Sequence, residues 1–267
     1  MLFRSIGLGM FRKLSFLAAS LAAFGALAAC ATVPADPVAR AAYDEANDPL
    51  EPLNRAVFAF NMEVDRYVLE PVAKGYRRTV PAGGREAVHN FLHNLKSPVT
   101  LVNNLLQGDV KRAAETSFDF VVNSTAGVLG LFDVTGHDDG LTVHEEDLGQ
   151  TFAVWGVGTG PYLVLPFHGP SNVRDTVGML GDRYFDPFEY TIEPPDDTRI
   201  FLARTVTGAV DARERTLEEF NDIRRTSLDF YATALSLYRQ SRKNQIRNGA
   251  RSEEHTSELQ SRLHLVC

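Results

Sequence analysis

Leu53, Val57, Phe60, Val64, Tyr67 and Val68 recur at helical spacing behind Asp48-Pro49, a residue pair that suits a helix cap and first turn. The pattern predicts a helix from about 48 that Pro71 ends or kinks. Phe58 and Met62 lie off that stripe and widen its apolar surface. A second helix is expected over 84–95, with Val88, Phe91, Leu92 and Leu95 on one face and Ser97-Pro98 as its breaker. Residues 99–106 are apolar except for the pair Asn103-Asn104. A third helix, 109–122, carries Val110, Ala113, Ala114, Phe118 and Val121. Residues 123–147 are rich in Gly, Thr and Asp and read as loops with an apolar turn at 128–132. Residues 151–167 are apolar, punctuated by glycine, and hold the only tryptophan, Trp155, so a hairpin or irregular extended segment is expected. A short helix follows at 172–184, then a proline-rich loop at 186–197. From 198 to about 247 the period is helical again, through Leu217, Phe220, Leu228, Tyr231, Leu235 and Tyr238. The chain shows no solenoid repeat.

The amino-terminal pattern is of another kind. Arg12-Lys13 precede an apolar run, 14–29, that closes in Leu27-Ala28-Ala29-Cys30. A positive start, an apolar middle and small residues at the cut make a secretory signal. A cysteine directly after Leu-Ala-Ala resembles the bacterial lipoprotein signal, in which that cysteine becomes the first residue and carries lipid. The run is shorter than the roughly 20 residues a spanning helix needs, so an anchored protein is expected, not a threaded one. Ala31, where aspartate would signal inner-membrane retention, favours the outer membrane. Residues 31–47 are small, polar and proline-containing, and read as a tether.

Both extreme ends look foreign. Residues 251–267 lack any sustained period and resemble translated sequencing-adapter DNA; residues 1–5 resemble its opposite-strand product. The expected natural start is then Met10. The expected organisation is a signal at 1–29, with 1–9 spurious, a lipidated tether at 30–47, a helical body at 48–250 and an artefactual tail at 251–267. With the tail set aside Cys267 disappears, leaving one lipidated cysteine and no disulfide. Without the three cations of the leader and the single net negative charge of the tail, the overall −7 becomes about −9. So acidic a body is a poor nucleic-acid binder and gains nothing from adhesion to anionic lipid headgroups.

No catalytic constellation stands out. Gly156-Val-Gly-Thr-Gly160 lacks the Lys-Ser/Thr of a phosphate loop and the Gly-x-Gly-x-x-Gly spacing, and reads as glycines that permit tight turns. His89 and His93 sit four apart on a helix but without the metalloprotease glutamate, and read as ordinary helix histidines. His144-Glu-Glu-Asp147 reads as a solvated acidic loop ahead of a cation site. No Gly-x-Ser-x-Gly elbow is present. The expectation is no enzyme, no metal and no cofactor.

Several motifs do form a pattern: Asn47-Asp-Pro-Leu-Glu-Pro-Leu-Asn-Arg55 with Phe60-Asn61 following, Asn103-Asn-Leu-Leu-Gln-Gly-Asp109, Leu148-Gly-Gln-Thr-Phe152, Gly156-Val-Gly-Thr-Gly-Pro-Tyr162, Leu165-Pro-Phe167 and Arg174-Asp175. In this order, over about 48–240, they resemble the MlaA/VacJ lipoproteins. The resemblance implies a mainly α fold: a helical, doughnut-like ring embedded in one membrane leaflet, with a short glycine-rich hairpin or extended segment. It implies an outer-membrane lipoprotein, lipid-anchored on the periplasmic face, that removes mislocalised phospholipid from the outer leaflet through a channel. The lipid passes to an MlaC-like periplasmic carrier, and the protein sits beside a trimeric outer-membrane porin. Cys30 is then the lipid anchor. Phe60, Asn61, Asn103, Asn104, Gly156, Gly158 and Gly160 are the candidate channel or lipid-path residues. Two other classes stay open at this point: a structural lipoprotein that only scaffolds porins, and a lipid-acting hydrolase.

Overall fold

The computed structural model describes residues 47–135, 145–187 and 196–247. The leader, Cys30, the tether, His144, most of the expected proline-rich loop and the tail lie outside these residues. The described chain is mainly helical, as expected: α1 (Glu51–Val64), a π-helical turn (Asp65–Leu69), α2 (Glu70–Thr79), α3 (Ala82–Gln107), α4 (Val110–Thr125), α5 (Leu148–Val154), β1 (Tyr162–Leu165), β2 (Gly169–Asn172), α6 (Val173–Asp182), α7 (Asp196–Arg215), α8 (Leu217–Thr226) and α9 (Phe230–Ile246). α4 lies along α3, α6 on α5, α7 against α2 and α3, and α9 against α5 and β2.

Neither proline expected to stop a helix does so. Pro98 lies inside the continuous α3. The residues around it are buried and carry their own bonds: Ser97 Oγ donates to the His93 carbonyl at 3.4 Å and Asn103 Nδ2 to the Val99 carbonyl at 3.0 Å. Packing along α4 and α7 outweighs the lost hydrogen bond. At Pro71 the chain stays helical because a π turn widens the backbone just ahead of the ring. The Glu70 amide then bonds the Asp65 carbonyl, five residues back, which brings Asp65 and Glu70 onto one inward face.

That face meets two cations. Arg213 of α7 donates to both Asp65 oxygens at 2.6 and 3.1 Å, and Arg224 of α8 reaches Glu70 at 3.0 Å. Lys74 and then Arg224 hold the Glu70 carboxyl down to about 2, well below its ordinary range.

The partition of side chains runs opposite to that of an ordinary soluble domain. Among the described residues nine hydrophobic side chains are buried beside nineteen polar or charged ones. On α1 the buried line is Asn54, Phe58, Asn61 and then Asp65, whereas Phe60, Tyr67 and Val68 of the apolar stripe are exposed. On α4 Val110, Phe118 and Val121 likewise face outward, and only Ala113 is buried. The small apolar core is Phe58, Tyr162, Val164, Tyr231 and Leu235.

A hairpin is present but displaced. Residues 148–154 are helical, the glycine run 156–160 connects α5 to β1, and the antiparallel strands pair Tyr162 with Asn172 and Leu165 with Gly169. A two-stranded sheet is marginal alone, and its free edge needs a partner. Here α1 supplies it. Asn54 Nδ2 donates to the Tyr162 carbonyl at 3.0 Å and its Oδ1 accepts from Val164 N at 2.9 Å. Asn61, two turns on, repeats the clamp on the Leu165 carbonyl and Phe167 N, both at 2.9 Å.

A second polar knot ties α3, α5 and α6. Asn103 Nδ2 donates to Asp182 Oδ1 at 3.0 Å, Thr151 Oγ1 donates to Asn103 Oδ1 at 2.8 Å, and Leu148 N donates to Asp182 Oδ1 at 3.1 Å. Where α5 meets α6, a Cβ on Gly178 would stand 2.3 Å from Gly149 N, so glycine is required for the approach. Burial pushes the Asp182 carboxyl up to about 6, against the bonds from Asn103 and Leu148 N.

Two stability predictions follow from these ties. Asn54→Ala leaves the Tyr162 carbonyl and Val164 N unpaired, and is expected to lower unfolding free energy by roughly 3 kcal/mol in a detergent melt. Asn244→Ala, on an exposed position of α9, serves as the control with no change. For Asp182 the folded pKa lies above the ordinary value of 3.8, so the folded chain holds the proton more tightly. Its contribution to stability is complete below pH 3.8 and is lost as pH rises through about 6. Asp182→Asn keeps an acceptor oxygen for Asn103 and Leu148 N. Its melting temperature should therefore fall less between pH 4.5 and 7 than that of the unmodified protein, as read by thermal melts across about that range.

Candidate functional site

Of the candidate lipid-path residues, Phe60, Asn61, Asn103 and the three glycines meet in one unit: α5, the glycine run, the hairpin and α6. The chain enters it at Asn47, whose carbonyl accepts from Tyr162 N at 2.9 Å and whose Nδ2 donates to the Gly160 carbonyl at 2.6 Å. Asp48 is buried and accepts from Asn54 Nδ2 at 2.6 Å and from the Tyr231 hydroxyl. Burial raises the Asp48 carboxyl above its ordinary range and the Tyr231 phenol higher still, so the phenol remains the donor.

Asn61 holds the hairpin as described, and its neighbour Phe60 points outward. The Phe60 ring lies edge-on to Phe167 with centroids 5.3 Å apart, and both rings are exposed. Asn103 and Asn104 are fully buried, and their amides are already engaged: Asn103 in the α3–α5–α6 knot, Asn104 with Thr116 Oγ1 at 3.1 Å. Gln107, one turn on, donates to Glu146 at 2.9 Å and to Thr151 at 3.1 Å. Trp155 Nε1 donates to the Leu106 carbonyl at 3.1 Å. The Asn103-Asn104 segment therefore holds the helix that launches the glycine run.

The glycine run itself is exposed. Gly156 and Gly160 adopt left-handed backbone with φ of 86° and 65°. At Gly158 an added Cβ would meet nothing within 4 Å. Two backbone bonds close the run onto α6: Val173 N to the Pro161 carbonyl and Arg174 N to the Thr159 carbonyl, both 3.2 Å.

Of the acidic cluster His144 lies outside the described residues, and Glu145 is exposed and pairs with Lys96 at 3.1 Å. Glu146 is buried. Asp147 caps α5 through Gln150 N at 2.9 Å and takes a two-pronged bond from Arg242 of α9, 2.6 Å on each oxygen. Arg242 Nε also reaches Asp175 Oδ2 at 2.7 Å, where the Tyr238 hydroxyl and Asn172 Nδ2 donate at 2.7 and 2.8 Å. Arg174 covers the other Asp175 oxygen at 3.0 Å. Burial alone would raise Asp175, but Arg242 and Tyr238 outweigh it and hold the carboxyl below its ordinary range. Burial, then Asp175, pushes the Tyr238 phenol up. Sequence reading marked Arg174-Asp175 as a motif and placed Tyr238 on an apolar face. It had no signal for Arg242, whose partners lie 67 and 95 residues away.

His89 is an ordinary bonded histidine, its Nδ1 2.8 Å from Asp211. Burial lowers His93. Among the described residues no group of three or more His, Cys, Asp or Glu side chains is placed to hold a metal. Among them, too, no helix is long and apolar enough to cross a membrane.

With this geometry in place, comparison with known proteins is direct. The family described as MlaA lipoprotein matches residues 46–245. An uncharacterized protein of Rickettsia bellii is 34% identical over 200 residues, covering 74% of this chain and 76% of its own. The intermembrane phospholipid transport system lipoprotein MlaA of Haemophilus influenzae is 32% identical over 216 residues, covering 80% and 84%. A solved structure described under "Structural basis for maintenance of bacterial outer membrane lipid asymmetry" superposes with a TM-score of 0.66 at 32% identity, covering 74% of this chain and 98% of that one. The match takes in every motif from Asn47 to Arg174-Asp175 together with α9. The chain belongs to the MlaA lipoprotein family.

Proposed function

We propose that this protein is the outer-membrane lipoprotein of a retrograde phospholipid pathway. Anchored through Cys30 on the periplasmic face, its helical ring lies in the inner leaflet beside a trimeric porin. It lets mislocalised outer-leaflet phospholipid pass through a channel to an MlaC-like periplasmic carrier. The observation that carries this reading is the inverted partition of side chains: apolar residues such as Tyr67, Val110, Phe118, Phe132 and Phe167 face outward around buried amides and ion pairs. Exposed apolar surface on that scale is unfavourable in water and favourable against acyl chains. A spanning helix is not needed for a body that sits in one leaflet.

The physical task is to shield acyl chains. Taking about 30 CH₂ groups out of a bilayer at roughly 0.8 kcal/mol each costs on the order of 20 kcal/mol. A passage that keeps the chains covered lowers that barrier without bond chemistry or a cofactor, and direction comes by mass action from a downstream carrier that binds the product. Phe60 and the glycine run 156–160 are the exposed candidates for the lipid path. Asn61 and Asn103 act from behind, by fixing the hairpin and α5, and Asn104 ties α3 to α4.

Deletion of the protein is expected to raise outer-leaflet phospholipid without releasing fatty acid. Unchanged outer-leaflet lipid would leave only a porin scaffold, and fatty-acid release by the purified protein would point to a hydrolase. Cys30→Ser should abolish metabolic palmitate labelling and membrane retention, read by detergent partitioning; normal labelling defeats the anchor assignment. The Cβ that Gly158→Trp adds meets no atom within 4 Å and needs no left-handed backbone, so protein abundance should stay normal while outer-leaflet phospholipid rises. A fully active Gly158→Trp variant removes the glycine run from the lipid path.

A further inference from the structure

A cavity of about 200 Å³ lies between α9 and the junction of the glycine run with α6. Its wall carries four cations, Arg174, Arg239, Arg242 and Lys243, and no carboxylate. In so acidic a chain that concentration of one sign has to be accounted for. Arg174 and Arg242 are offset by Asp175 and Asp147 behind them. Arg239 and Lys243, one turn apart on α9, pair with no acid among the described residues, so the cavity faces a net positive charge of about two.

We propose that this cavity binds a phosphate group, and that the group is the phosphodiester of a phospholipid headgroup. Guanidinium side chains present paired donors that match phosphate oxygens, and a lysine adds a point charge. The first three amides of α6 are already bonded, to Pro161, Thr159 and the Asn172 side chain, so recognition rests on side chains and not on the helix end. Size selects the part of the lipid that enters. Pockets for drug-sized ligands run roughly 300–1,000 Å³, so this one takes a headgroup and leaves the acyl chains outside. Tyr162, Tyr238 and Ile246 line the remaining wall and suit the glyceryl carbons. Gly160 forms part of the wall, which places the headgroup beside the exposed glycine run. Arg242 thus has two functions: through Asp147 and Asp175 it ties α9 to α5 and α6, and it contributes charge to the cavity. The choice of a lipid source rests on the transport reading; the phosphate chemistry does not.

The test uses the full lipidated protein in neutral detergent, with two probes read by phosphorus NMR: inorganic phosphate, and dihexanoylphosphatidylethanolamine kept below its micelle concentration. The double variant Arg239→Gln, Lys243→Gln removes the unpaired charges and leaves the ties of Arg242 and Arg174 intact. Binding of both probes should weaken by about tenfold in the variant, and added salt should weaken the unmodified protein toward the same level. A thermal melt unchanged by the double substitution confirms that the fold is kept. If inorganic phosphate binds and the short-chain lipid does not, the headgroup assignment is overturned. Absence of binding to either probe, or equal binding by the variant, overturns the phosphate site. A deletion strain with normal outer-leaflet phospholipid defeats the transport reading separately, since probe binding by the purified protein is independent of it.

Discussion

Buried polar groups must find partners, and in this protein the polar side of the chain is the buried side. A buried amide without a hydrogen bond costs about 1–3 kcal/mol, so an interior of Asn, Asp, Glu and Arg holds only if most of its groups meet their complements. Asn54 and Asn61 show how that is arranged. Each sits on the inward line of α1, and each uses both ends of its amide on the backbone of β1 and the loop after it. The helix thereby closes the sheet as a third strand would. The small aromatic core of Phe58, Tyr162 and Tyr231 forms around that contact, with ring centroids 5.5 and 6.2 Å apart.

Charge follows the same rule at greater cost. Asp65 and Glu70 meet Arg213 and Arg224, and Asp147 and Asp175 meet Arg242. Such pairs repay their desolvation only with good geometry on both oxygens, as Arg213 and Arg242 have. They are useful here because the apolar residues are needed elsewhere. On the proposed reading the outer surface faces acyl chains, so packing those residues inward gains little, and hydrogen bonding becomes the interaction that specifies which helix meets which.

The two charge knots divide the molecule by role. The Asp65 cluster joins the π turn to α7 and α8. The Arg242 cluster joins α9 to α5 and α6, the helices that bracket the glycine run and hairpin. Fixing both ends of that run leaves its middle, at Gly158, exposed and unobstructed. On the proposed transport reading, rigid flanks around an open segment give a passage edge that keeps its place while a ligand moves past.

Much of this was legible in the chain. Helical periodicity located the start of α1, and α4 and α6, to within a few residues and read 198–247 as one helical stretch that the structure divides into α7, α8 and α9, because a 3.6-residue period is a local property. The motifs Asn47–Arg55, Asn103–Asp109, Gly156–Tyr162 and Arg174-Asp175 identified the family and marked the residues that meet in one unit. Three things were decided only by the tertiary structure. Period alone does not say which face is inside, and here Phe60, Tyr67 and Val68 point out while Asn54, Asn61 and Asp65 point in. Pro98 read as a breaker and Pro71 as an end or a kink, yet the packing of α3 and a π turn carry the helix past them, since contacts with distant helices outweigh one lost backbone bond. And the pairing of Arg242 with Asp147 and Asp175 joins residues 95 and 67 positions apart, and the cationic cavity beside it likewise draws on distant parts of the chain. Chain order holds the residue types and their local period; which charges become neighbours is settled only when the elements pack.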